Sequence, residues 1–217
     1  MPSPRIVMLN WDGTLVDSLP WTYQAACAVF LHFNREPPTF EIYRAEILKL
    51  RPAGFFQKYG VPETALWPTP QVIYETYLLK HLDDLNLRDG AREVLGFCKD
   101  RRIRVAIVNC LVPGELLYTL ERLGIGHLID HVQAYSYGGL GIASVLAHFG
   151  IEAEEAVYVD SSAKGLEAAK EFAGIKIIAL TGSFQPSEKI LAKNAACVIT
   201  TLMDLPFQLD NDTSGVG

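Results

Sequence analysis

Cysteine is sparse in this sequence, and basic clusters, internal repeats, low-complexity tracts and membrane-length apolar runs are absent from it. The cysteines, Cys27, Cys98, Cys110 and Cys197, stand far apart, with no C-x-x-C and no ligand-like spacing to histidine. That excludes a disulfide framework and a zinc module, and fits reduced thiols of an intracellular protein. The net charge of −6 is spread along the chain without a basic run, which excludes a nucleic-acid footprint and an anionic-membrane patch. No apolar stretch approaches the length that spans a bilayer. Met1 to Arg5 lead directly into a strand-like run with no signal-peptide pattern, so a soluble cytoplasmic protein is expected. One local absence is more pointed: from Gly124 to Ala163 there is neither lysine nor arginine.

What the chain does have is core material, with 49% apolar residues over 217 positions. Short runs that are apolar on both faces recur at Ile6–Leu9, Val105–Val108, Ala156–Val159, Ile175–Leu180 and Ala196–Ile199. Such runs predict strands buried in a parallel sheet. Helical stretches alternate with them: Ala91–Lys99, Pro113–Leu123, Ile142–Phe149 and Ala163–Phe172, several stopped by a glycine. The alternation predicts an α/β fold, a Rossmann-like open parallel sheet with helices on both faces. The rhythm breaks between the first strand and Ala91. There Trp21, Ala25, Val29 and His32 share a helical face, Phe40–Leu50 and Gln71–His81 are helical, and Pro37, Pro38, Pro52, Pro62, Pro68 and Pro70 punctuate. This predicts an inserted α-helical cap over 18–85, a core formed by 1–17 with 86–208, and a disordered tail over 209–217.

The first strand runs into Asn10-Trp11-Asp12-Gly13-Thr14-Leu15-Val16-Asp17-Ser18. This stretch resembles the first motif of the haloacid dehalogenase superfamily, D-x-D-G-T-L-x-D-S, at every position but the first, and in the expected strand-end context. Gly90–Leu95, Arg102–Val108, Leu117–Gly124 and Val157–Ala169 resemble later segments of the same superfamily, so the resemblance covers nearly the whole chain. The branch with a helical cap that holds phosphoglycolate phosphatases and β-phosphoglucomutases is the most similar.

The resemblance implies chemistry that the residues depart from motif by motif. Hydrolases of the superfamily attack phosphorus with a first-motif carboxylate, while a second carboxylate two residues on works as general acid and base. Here the first position is Asn10, a neutral amide and a very poor nucleophile. The second survives as Asp12, either as acid–base group or as a side chain that stabilises its own turn. The second motif ends in a phosphate-binding Ser or Thr. Asn109 stands there, as an anion-binding amide or a turn residue, followed by Cys110, which lacks any neighbour in sequence that would activate a thiolate. The third motif supplies a lysine, and the corresponding loop near Tyr135–Ile142 has none. Phosphoryl transfer leans on such a cation, for which Lys164 is the nearest substitute, against its plainer reading as a solvated side chain. The fourth motif, G-D-S-x-x-D, binds Mg²⁺ through its carboxylates. In register, Ser161 and Gly165 occupy its acidic positions, and Asp160 stands one place early, where glycine is usual.

These departures predict a catalytically inactive pseudophosphatase, retained to bind a small anion or a protein partner. The degenerate catalytic positions are Asn10, Asp12 and Asn109, and the ligand-contact candidates are Gly13, Thr14, Asn109, Cys110 and Ser161. No cofactor is expected. If activity remains, Mg²⁺ is its cofactor, with Asp12 and Asp160 as the residual metal candidates. The alternative is a phosphomonoester hydrolase with a relocated or altered active site. A third reading makes the cap aromatics Trp21, Tyr23, Phe55, Phe56, Tyr59 and Trp67 a partner surface, against core packing.

Overall fold

The computed structural model describes residues 4–62, 69–108, 113–134, 139–184 and 187–210. Six strands form one sheet: β1 (Ile6–Asn10), β2 (Arg104–Val108), β3 (His131–Gln133), β4 (Ala156–Asp160), β5 (Lys176–Leu180) and β6 (Cys197–Ile199). Their spatial order is β3-β2-β1-β4-β5-β6, and every pairing is parallel. The helices are α1 (Leu19–His32), α2 (Phe40–Lys58), α3 (Thr69–Lys80), α4 (Ala91–Asp100), α5 (Pro113–Arg122), α6 (Gly139–Phe149), α7 (Ala163–Ala169), α8 (Glu188–Ala192) and α9 (Leu205–Asp210).

The period-2 alternation of a strand distributes the core between the two faces of the sheet. Ile6, Met8, Ala106, Val108, Ala156, Tyr158, Ile177 and Ala179 point to one face, against Ile142 and Val145 of α6, Leu166 and Ala169 of α7 and Leu191 of α8. The alternate residues, among them Val7, Leu9, Val105 and Ile107, are equally buried, and α4 packs across β2 with Ala91, Val94, Leu95 and Cys98 inside. Both faces are therefore covered, which is why the central strands are apolar throughout. Each strand and crossover helix brings the chain back parallel, so the carboxyl ends of β1, β2 and β4 lie side by side.

The chain divides into two compact units, Met1–Asp17 with Asn86–Gly217, and Ser18–Leu85. The second unit is the helical cap. Its core is aromatic: Phe30, Tyr43, Phe55 and Phe56 meet in edge-on pairs with ring centroids 5.5–6.1 Å apart. Trp21, Phe55 and Phe56 are buried there, Tyr23 donates to the Pro38 carbonyl and Tyr59 to Glu46, whereas Trp67 lies outside the described residues.

Two expectations need correction, and one strand escaped the sequence reading. Helix α2 does not stop before Pro52 but runs through it to Lys58. Tyr43 and Ile47 on one side of the proline and Phe55 and Phe56 on the other are all buried, and that shared packing outweighs the roughly 3 kcal/mol of an interior proline. The tail does not begin at 209: α9 runs to Asp210, Leu209 is 1% exposed, and Asp210 pairs with Arg101 at 2.9 Å. Residues 211–217 lie outside the described set. Strand β3 carries no long apolar run, because a three-residue edge strand that is half-buried throughout has no need of one.

Candidate active site at the strand ends

Asn10 closes β1 and Asp160 closes β4, its neighbour in the sheet. The Asn10 amide Nδ2 donates to Asp160 Oδ1 at 3.0 Å and to the Asp12 carbonyl at 3.3 Å, and its Oδ1 accepts from the Trp11 N–H at 2.9 Å. A carboxylate can only accept, so the nitrogen end of Asn10 must face Asp160. Both ends of the amide are thus committed within the chain.

Asp160 is 2% exposed. Besides Asn10, its Oδ1 accepts from the Ser162 N–H at 2.8 Å, and its Oδ2 from the Tyr158 hydroxyl at 2.7 Å. Tyr158 and Asp160 are two residues apart on one strand and therefore share a face. Burial pushes the Asp160 carboxyl above its ordinary range, and the bonds from Tyr158, Ser162 and Asn10 pull it back. Burial, with the neighbouring carboxylate adding to it, holds the Tyr158 phenol well above its usual value. Tyr158 escaped the sequence reading because a tyrosine in a V-Y-V-D strand passes for core; the signal was its spacing from Asp160.

The motif loop is braced from beneath. Thr14 and Ser161, taken from the sequence as ligand contacts, are both fully buried, and the Thr14 hydroxyl accepts from the Ser161 N–H at 3.0 Å. Ser161 Oγ reaches the Asp12 carbonyl at 3.5 Å. Gly13 adopts φ +68°, and a Cβ there would overlap Ser183 Oγ and lie 2.8 Å from the Phe184 ring, so glycine is required on both conformational and steric grounds. Arg88 donates to the Gly13 carbonyl at 2.6 Å and to the Thr181 carbonyl at 2.9 Å, tying the motif loop to the end of β5. Nothing local in the sequence marks Arg88 for this role, since its partners are far along the chain.

Asp12 is partly exposed and belongs to this same loop. Asn109 and Cys110 directly follow Val108, which pairs with Asn10, but both lie outside the described residues, as do positions 135–138 of the loop matched to the third motif. Lys164 is exposed on α7. Burial raises the Cys98 thiol to about 12, which leaves it inert as a nucleophile at neutral pH.

The residues described at the strand ends do not suit a hard divalent cation. Both oxygens of Asp160 are already engaged, and Gly165 has no space for a carboxylate: a Cβ there would overlap Asp160 Oδ2 and lie 2.7 Å from its Cγ. Among the described residues no group of three or more His, Cys, Asp or Glu side chains is arranged to hold a metal ion. Among the described residues, too, no helix is long and apolar enough to cross a membrane.

Comparison with known proteins identifies the lineage. Phosphoglycolate phosphatase 1 of Pseudomonas aeruginosa is 26% identical over 215 residues, covering 93% of this chain and 78% of that protein. The phosphoglycolate phosphatase of Synechococcus elongatus is 24% identical over 208 residues, covering 93% of this chain and 95% of that protein. Among solved structures, a predicted phosphoglycolate phosphatase from Haemophilus somnus superimposes with a TM-score of 0.80 at 18% identity, covering 94% of this chain and 97% of that one. A haloacid dehalogenase family hydrolase from Deinococcus radiodurans, solved with bound phosphate and sodium, gives a TM-score of 0.78 at 21% identity, covering 97% of each chain. At such identities the structural likeness speaks for the fold alone. The sequence model of the haloacid dehalogenase-like hydrolases matches residues 7–180, and with that span, the strand order and the motif loop after β1, the chain belongs to the haloacid dehalogenase-like hydrolase family.

Proposed function

We propose that this family member does not hydrolyse phosphate monoesters by the aspartyl route and is retained as a soluble, cytoplasmic binding protein for a small anion or a protein partner, without a resident metal. The observation that carries this reading is Asn10. An amide stands where the route requires a carboxylate nucleophile, and its nitrogen is directed at Asp160 rather than outward. The absence of any lysine or arginine from Gly124 to Ala163 supports it, since the developing phosphoryl charge then lacks its usual counter-ion.

A second reading is favoured by the comparisons: the curated relatives named above are phosphoglycolate phosphatases, and this chain aligns with them over 93% of its length. On that reading the chain is a phosphomonoester hydrolase with an altered site, in which Asp12 keeps its acid–base role and the nucleophile comes from elsewhere. Turnover separates the two. Wild type, Asn10→Asp and Asp12→Asn are assayed on an aryl phosphate and on 2-phosphoglycolate with Mg²⁺ present. On the first reading wild type stays at the blank, and Asn10→Asp does not approach ordinary enzyme rates of about 1 per second, because one restored member of a catalytic unit recovers little. Wild-type turnover well above the blank that disappears in Asp12→Asn establishes the second reading instead.

A further inference from the structure

Resting on the reading of the site as non-hydrolytic, we propose that Asp160 is a positioning residue that fills the fourth-motif cation site from within, so that Asn10, Asp160 and Gly165 form one mutually exclusive set that keeps divalent cations out of the strand ends. Three observations meet in it. The Asp160 carboxylate, as its donors hold it, occupies the volume that a Cβ at position 165 would need, so a side chain at 165 would force Asp160 out of its present place. Its oxygens are held by three neutral donors, Asn10 Nδ2, the Ser162 N–H and the Tyr158 hydroxyl, which stabilise the carboxylate without a cation. One of those donors is the residue that departs from the nucleophile position.

Asn10 is thereby more than a lost nucleophile. With Asp at position 10, two carboxylates would face one another where the amide nitrogen now lies 3.0 Å from Asp160 Oδ1, at the buried end of a strand. Like charges at that distance cannot both ionise without a large cost, and the Trp11 N–H would be the only one of the present Asn10 contacts left to favour the new acid. The carboxylate at 160 therefore requires the amide at 10. An asparagine at 160, by contrast, keeps a carbonyl oxygen for the Ser162 and Asn10 donors and offers its own N–H to the Tyr158 oxygen, so it can replace the acid with its packing intact.

The test is a double-mutant cycle read by thermal unfolding of the full chain, with and without Mg²⁺ at about 10 mM, well above the weak end of oxygen-ligand sites. Asn10→Asp is expected to lower the melting temperature by roughly 5 °C or more at neutral pH, Asp160→Asn by much less, and the double variant Asn10→Asp/Asp160→Asn should regain most of the loss. Gly165→Asp should destabilise strongly, and adding Asp160→Gly should relieve it. Mg²⁺ should leave wild type unmoved and stabilise Asn10→Asp/Asp160→Gly/Ser161→Asp/Gly165→Asp, in which the acids return to the family's positions. Additive losses for Asn10→Asp and Asp160→Asn overturn the proposal. So does an Mg²⁺-induced rise in wild type that Asp160→Asn abolishes, because Asp160 would then be a ligand. Should Asn10→Asp fail to fold, Asn10→Asp/Asp160→Asn still decides, folding near wild type if the proposal holds and failing likewise if Asn10 is needed for another reason. Phosphate turnover by wild type would sink the non-hydrolytic reading while leaving this coupling in place, so the two failures are distinguishable.

Discussion

The β1–β4 seam at the middle of the sheet and the β2–β3 pair at its edge handle polar side chains in opposite ways. At the seam, Asp160 and Tyr158 are 2% exposed, and the carboxylate has three donors within 3.0 Å. At the edge, His131 is half-buried and stacked on His148 with ring centroids 4.1 Å apart, and its Nε2 is buried without a hydrogen-bond partner among the described residues. The centre of a sheet admits an ionisable group only when every partner is in place, because an unpaired buried charge has no water to fall back on. The edge tolerates a missing partner because the chain there can relax toward solvent. The three donors that hold Asp160 are not open to ligands that would compete for them, although the buried Trp11 Nε1 beside them has no hydrogen-bond partner among the described residues.

Several changes probe this contrast, from the most to the least disruptive. Leu9→Ala at the fully buried centre should cost about 2–5 kcal/mol in denaturant unfolding, whereas Val132→Ala on half-buried β3 should cost less than half as much. Equal losses would mean that the edge is packed as tightly as the seam. Tyr158→Phe removes one donor to the buried carboxylate and should cost roughly 1.5–3 kcal/mol, the range for bonds to charged groups. A loss near zero would show that Asp160 is protonated in the folded state. The edge should respond to pH. Burial and the neighbouring His148 lower the His131 pKa, with a hydrogen bond to Gln133 opposing them. Above about 6.5, the ordinary histidine value, both folded and unfolded states are neutral at this ring. Below it the unfolded chain takes the proton more readily, so His131 subtracts stability as pH falls. His131→Asn should flatten that part of the stability–pH profile, and an unchanged slope would place the titration elsewhere. Smallest of all, Arg101→Ala should change stability by about 0–1 kcal/mol, since its pair with Asp210 is exposed on both sides and screened by salt.

Much of this was legible beforehand. Five of the six strands, the α/β alternation and the helical insertion follow from short runs apolar on both faces and from the helical stretches between them, because burying a central parallel sheet on both faces leaves little freedom in the pattern. Strand β3 and the run of α2 past Pro52 were not legible. The first has one apolar residue, Val132, between His131 and Gln133 and so shows no apolar run, and the second is decided by Tyr43, Ile47, Phe55 and Phe56 gathering into one core from both sides of the proline. Helices α8 and α9 likewise have too few turns to show a face.

At the site, the sequence by itself determined what is missing. Against the motif it resembles, Asn10 stands where aspartate is usual, and no lysine or arginine occurs from Gly124 to Ala163; both can be read from identity and order alone. Only the tertiary structure decided what replaced it. Asn10 and Asp160 are 150 positions apart, Arg88 lies 75 from Gly13 and 93 from Thr181, and the conflict between Asp160 and a side chain at 165 exists only in space. Hydrogen bonds and excluded volume act over a few ångströms, and it is the pairing of β1 with β4 that turns a distance along the chain into a contact.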